Sequence, residues 1–174
     1  MEHTSLDRLQ PALLDRLMDD APQARSETSK YRAVSMRQLR GSVMRDLSNL
    51  LNAHALYGCA GLSAHPLAEA SVINYGLRDV TGKALSSLDV AEIARDIERA
   101  IVRFEPRIAA RTVRVSPLPP EGLGALTSVA FLVEGDLWGQ PCPERLLFKT
   151  ELDLESGQAR IVDDVPAVAS ERAR

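Results

Sequence analysis

Carboxylates come first among the side chains of this sequence that could do chemistry, because an acid/base hydrolase needs two of them across a cleft. Glu105 is the best placed, preceding Pro106 and standing two residues before Arg107. An adjacent guanidinium favours an ionised carboxylate, whereas a general acid must keep its proton near neutral pH. The other acidic residues fall on polar helix faces, in turns or near the ends of the chain, and none completes a catalytic pair. His54, Cys59 and His65 lie close in sequence, but their spacing fits no zinc motif and a fourth ligand is missing. No serine stands in a Gly-x-Ser-x-Gly elbow. Gly122-Leu123-Gly124 follows Pro119-Pro120 and opens no helix, so it is not a phosphate loop. The expectation is a protein without catalysis, metal or cofactor.

What remains is Phe104-Glu105-Pro106-Arg107-Ile108, a proline turn holding opposite charges between two apolar anchors. Two readings stay open. As a helix-to-strand junction, the turn is held by local pairing; an exposed pair of this kind contributes ~0–1 kcal/mol, and truncating Arg107 would leave folding nearly normal. As a docking loop, it offers the planar donor fork of Arg107 to a partner.

The elements that must position this turn follow from periodicity. Pro11 suits a first helical position, and Leu13, Leu14, Leu17 and Met18 form an apolar cluster, giving a short helix from Pro11 to Met18. Residues 23–33 are polar and read as an exposed linker. Met36, Leu39, Val43, Leu47, Leu50 and Leu51 recur at helical spacing after Ser35, a suitable N-cap, and this helix should end at 52–54. Residues 58–84 are rich in turn formers, with a short apolar patch at Val72, Ile73 and Leu77. A third helix follows Ser86-Ser87, burying Val90, Ile93, Ala94, Ile97 and Ile101 and turning Glu92, Arg95, Asp96, Glu98 and Arg99 to water. Pro106 disfavours helical geometry at Glu105, so this helix stops at Phe104.

Beyond Pro106 the period becomes two. Val113 and Val115, then Val129, Phe131 and Val133, then Leu146, Phe148, Leu152 and Leu154 define three strands. Glu155-Ser156-Gly157-Gln158 turns into a fourth at 159–162. In this terminal hairpin Phe148 and Leu152 face the core, and Lys149 and Glu151 face outward. Helices first and strands afterwards predict an α+β domain, its helices packed on one face of a small, mainly antiparallel or mixed β-sheet. The organisation is a short helix and linker at 1–33, one domain at 34–162 and a frayed tail at 163–174.

Composition agrees. Of 174 residues 45% are hydrophobic and only 4% aromatic, so the core is aliphatic. A net charge of −3 with 26% charged residues argues against nucleic-acid binding. No apolar run is long enough to span a bilayer, and no basic-then-apolar leader opens the sequence. Cys59 and Cys142 sit in no paired motif, which fits a reducing, cytoplasmic setting.

Several segments resemble one family in order. Glu105-Pro106-Arg107 resembles the Glu-Pro-Arg motif of the TssE subunits of type VI secretion baseplates and of the phage baseplate-wedge (GPW) proteins that carry a "lysozyme-like" label. Pro11 to Leu17 is similar to the family's first helix, and Arg45-Asp46-Leu47-Ser48-Asn49-Leu50-Leu51-Asn52 to its Arg-Asp-Leu-x-x-Leu-Leu-Asn signature. Asn74-Tyr75-Gly76-Leu77 is similar to its Asn-Tyr-Gly-Leu segment, and Leu152 to Gly157 to its closing hairpin. Each motif alone is weak; several in register are specific. The first helix and the Arg-Asp-Leu signature point to the TssE branch.

The resemblance implies a sheath-subunit-like fold and a structural role in the baseplate of a contractile tail, at the inner face of the cell envelope. Implied partners are the TssF, TssG and TssK wedge subunits and the TssB/TssC sheath, without nucleic acid or membrane insertion. Glu105, Pro106 and Arg107 would dock on the TssF–TssG core, and the sheet would offer strands to the first sheath ring. Arg45, Asp46, Leu47, Asn52, Asn74, Tyr75 and Gly76 are the structural signature. The "lysozyme-like" label implies the alternative, a peptidoglycan hydrolase.

Overall fold

The computed structural model describes residues 13–17, 35–56, 62–83, 88–119, 127–138 and 143–162. The expected linker at 23–33, the tail at 163–174, Cys59, Cys142 and Gly122–Gly124 lie outside them. Among these residues four α-helices come first: α1 (Leu13–Leu17), α2 (Met36–Leu51), α3 (Pro66–Glu69) and α4 (Val90–Phe104). Four strands follow: β1 (Arg114–Pro117), β2 (Ser128–Leu137), β3 (Glu144–Asp153) and β4 (Ala159–Val162).

The long helices begin where local chemistry satisfies their free N–H groups. The Gln38 amide donates to Ser35 Oγ at 3.3 Å, while Ser35 N–H donates to Gln38 Oε1 at 3.0 Å, a reciprocal capping box. Glu92 N–H donates to Asp89 Oδ1 at 3.1 Å and starts α4. Pro106 sets the other end, and α4 stops at Phe104 as expected.

The four strands pair antiparallel in the order β1-β2-β3-β4. Leu39, Val43, Leu47 and Leu50 of α2 and Ile93, Ile97 and Ile101 of α4 share one core with Val129, Phe131, Val133, Leu146, Phe148 and Leu152 of the sheet. The fold is α+β, with helices and a small antiparallel sheet. Each large aliphatic side chain buried there contributes roughly 1.5–3 kcal/mol.

One expectation is corrected. Asp96 is 4% exposed instead of facing water. It is tolerated because both of its oxygens accept from guanidinium groups, Oδ2 from Arg78 and Oδ1 from Arg99. Val72 and Ile73 are exposed at 77% and 61%, while Leu77 is buried. Lys149 and Glu151 do pair with each other on the outer face, at 2.7 Å. Their strand, however, is internal, with Lys149 opposite Leu132 on one side and Val162 on the other. Among the described residues, the edge strands of the sheet are β1 and β4.

Candidate functional site

The turn after α4 closes on itself through its own charges. Arg107 Nε donates to Glu105 Oε1 at 2.6 Å and Nη2 to Glu105 Oε2 at 2.5 Å, a two-pronged pairing. The Arg107 backbone N–H also donates to Glu105 Oε1, at 3.2 Å. Glu105 is 3% exposed, so its carboxylate is held by this fork alone among the described side chains.

The same guanidinium reaches α2. Nη2 donates to Asp46 Oδ2 at 2.6 Å, and Nη1 lies 3.4 Å from Ser42 Oγ. Asp46 is in turn tied to Arg45, whose Nη2 and Nε donate to Asp46 Oδ1 at 3.1 and 3.2 Å. Arg45 Nη1 donates to Asp15 Oδ1 of α1 at 2.5 Å. Five alternating charges thus run Asp15, Arg45, Asp46, Arg107, Glu105, joining α1, α2 and the turn. Glu105, then Asp46, hold the Arg107 pKa above its ordinary value against the opposing effect of burial. Asp15 does the same most strongly for Arg45.

Backbone contacts fix the far side of the turn. Trp138 N–H donates to Arg107 O at 2.7 Å, and Ala109 N–H to Asp136 O at 2.9 Å, so the segment continues as an antiparallel bridge on β2. Ile108 is buried there against Gly135, where any Cβ would meet Ile108 Cγ2 at 2.7 Å.

A cleft of about 400 Å³ opens beside the charges, lined by Leu13, Leu50, Tyr75, Phe104 and Pro106 with Asp46, Glu105 and Arg107. Tyr75 packs edge-on against Phe104, ring centroids 5.2 Å apart. Burial first, then the negative fields of Asp46 and Glu105, raise the Tyr75 pKa and keep its hydroxyl protonated. Pro106 is exposed at the apex of the turn, and Trp138, whose N–H bonds Arg107 O, is 64% exposed.

The structure brings Arg45, Asp46, Tyr75, Glu105, Pro106 and Arg107 into one place. It sets the other signature residues apart as supports. Leu47 is fully buried in the core. Asn74 is buried and donates to Glu69 O at 3.2 Å. Gly76 passes so close to Ala53 that no side chain fits. Asn52 bonds the first residue of β4. His54 and His65 are both exposed in separate segments. Asp15 belongs to the charge chain and Ser42 lies beside it, although neither stood out in the sequence. The available signal for Ser42 was a polar side chain on the apolar stripe of α2.

The expectation of an exposed local ion pair is corrected. The donor fork of Arg107 is filled from within the chain, by Glu105, Asp46 and Ser42. Its buried partner makes it a tie between elements.

The family model described as "Baseplate wedge protein gp25" matches residues 37–142. That span holds α2 from its second residue on, the Asn-Tyr-Gly segment, α4, the turn and β2, hence every member of the charge chain except Asp15. No curated protein and no solved structure matches the chain.

Proposed function

We propose, from the premise that the chain belongs to the baseplate wedge protein gp25 family, that it is a structural baseplate subunit of a type VI secretion system. It docks on the TssF–TssG core beside TssK and gives the TssB/TssC sheath a sheet edge on which to start. Its place is the inner face of the cell envelope; no helix among the described residues is long and apolar enough to cross a membrane.

The observation that carries this reading is the convergence of three family-like segments on one cleft. The first helix supplies Leu13, the Arg-Asp-Leu signature supplies Asp46, and the Glu-Pro-Arg turn closes the far side, with the Asp15–Arg45 pair tying the first helix to α2. Arg107 gives the turn its shape, while Pro106 and the apolar wall of Tyr75 and Phe104 meet the partner. Such a rigid, half-apolar cleft suits a side chain of a helical core. The reading assigns no hydrolysis to the cleft, where Asp46 and Glu105 are both paired to Arg107.

Co-expression with TssF and TssG tests this proposal. The three proteins should co-purify through gel filtration at a fixed ratio. Elution of this chain apart from a stable TssF–TssG complex sinks it, as does peptidoglycan clearing in a zymogram that Glu105→Gln abolishes.

A further inference from the structure

The cleft beside the turn carries a surplus of negative charge. The charge chain sets three carboxylates, Asp15, Asp46 and Glu105, against two guanidiniums, Arg45 and Arg107. The charged residues that line the cleft itself, Asp46, Glu105 and Arg107, leave the same single negative charge over. The negative fields of Asp46 and Glu105 reach the Tyr75 hydroxyl, which makes no hydrogen bond among the described residues.

The end of α4 adds to this surplus. Pro106 has no N–H to give Val102 O. The Arg107 and Ile108 amides donate instead to Glu105 Oε1 and Glu105 O, each at 3.2 Å. The last carbonyls of the helix are thus left without backbone donors among the described residues, and a helix C-terminus carries partial negative charge. Phe104, the last residue of α4, lines the cleft.

The neighbouring cations are engaged elsewhere. Arg107 is held by Glu105 and Asp46, and Arg45 by Asp15 and Asp46. Arg103, beside Phe104 in sequence, donates to Glu69 O at 2.9 Å. The rest of the wall is apolar: Leu13, Leu50 and Pro106 with the rings of Tyr75 and Phe104. Such a wall accepts the methylene stem of a long basic side chain, and an aromatic ring attracts a cation to its face. An acidic side chain would meet like charge here. A purely apolar one would take water from Asp46 and leave the surplus uncompensated.

We infer that the cleft receives one cationic side chain, a lysine or arginine, from the TssF–TssG core. Its charge lies against Asp46 and the end of α4, and its stem against Leu13, Leu50 and Pro106. The inference rests on the docking role proposed above and adds the chemistry of the group that docks.

Titration calorimetry with purified TssF–TssG tests this on the full chain. Leu13 is 71% exposed, so Leu13→Lys and Leu13→Gln should both fold, and the two residues have similar helix propensity. The lysine variant should bind at least threefold more weakly than the glutamine variant at ~20 mM salt, and the gap should close at ~0.5 M. A double-mutant cycle then identifies the group. Each lysine and arginine of the core is changed to methionine, which keeps a stem without the charge. One change should weaken binding to the unaltered chain at least tenfold, and binding to Asp46→Asn less than threefold, on preparations with matched melting curves. If Asp46→Asn does not melt like the unaltered chain, the Leu13 pair decides. Absence of a core cation coupled to Asp46 overturns the inference and leaves docking standing, as does equal binding of the two Leu13 variants. A glutamine variant weaker than the lysine variant gives the cleft to an anion and overturns it too. Absence of any TssF–TssG binding by the unaltered chain overturns both the inference and the role it rests on.

Discussion

Arg107 Nη2 lies 2.6 Å from Asp46 Oδ2, joining two residues 61 positions apart. With the Glu105 pairing it makes one guanidinium the tie between α2 and the α4–β1 connection. Removing it leaves the buried Glu105 carboxylate without its partner, which costs more than losing an exposed pair. Arg107→Ala should therefore lower stability by about 2–4 kcal/mol in urea unfolding. Arg107→Lys should recover part of this, since an ammonium keeps the charge but not the fork. A loss below about 0.5 kcal/mol for Arg107→Ala would return the turn to an exposed, local pairing.

The two glycines of most contrasting environment give a second test. Gly76 has φ +119°, and a Cβ there would meet Ala53 O at 2.2 Å. Gly76→Ala should cost about 2–4 kcal/mol, since both strain and a backbone clash are imposed. Gly41 lies inside α2 with nothing near its Cβ position, and Gly41→Ala should add about 0.5–1 kcal/mol. Thermal melts of both variants decide the pair; equal shifts would mean that the 53–77 contact is not held in solution.

Thr150 is 1% exposed, and its Oγ1 has no hydrogen-bond partner among the described residues. Thr150→Val keeps the shape and removes the unsatisfied hydroxyl. It should stabilise by about 1 kcal/mol. A destabilised variant would reveal that the hydroxyl is bonded.

The β3–β4 turn is sensitive to acid through Asp153. Its carboxylate accepts from Ser156 N–H at 2.8 Å and Ser156 Oγ at 3.1 Å, and from Glu155 N–H at 2.9 Å. These bonds hold its pKa below the ordinary 3.8. A depressed folded-state pKa means stabilisation that is complete above the ordinary value and lost as pH falls through the folded one. The Glu155 and Ser156 amides should thus keep constant intrinsic-corrected protection down to about pH 4 and lose it below. Asp153→Asn should remove that pH dependence.

Much of this architecture was legible in the sequence. Ser35 with Gln38, the apolar stripe of α2, and Pro106 after Phe104 fix both long helices by local rules, and local rules are what a sequence displays. The alternation around Phe131 and Phe148 likewise gave β2 and β3. Side-chain ties between distant segments were not legible. Asp96 reads as a polar helix position until Arg78 is known to reach it, and Arg107 reads as exposed until α2 lies beside it. Strand order was hidden for the same reason: nothing local tells that β3 is covered on both sides and that β4 is free. At the candidate site, the residue types were recognisable but the filled fork of Arg107 was not, because Asp46 enters from a helix far away in the chain.

In the proposed role the turn meets a baseplate core through its apex while its charges hold it in shape. Pro106 is exposed and bonds nothing in the charge chain. Pro106→Glu should shift stability by about 1 kcal/mol or less. The measurement is the affinity of this variant and of the unaltered chain for purified TssF–TssG, by calorimetry on preparations with matched melting curves. At least a tenfold weaker Kd for the folded variant is predicted. Equal affinity, in a variant that melts like the unaltered chain, would contradict docking through this turn.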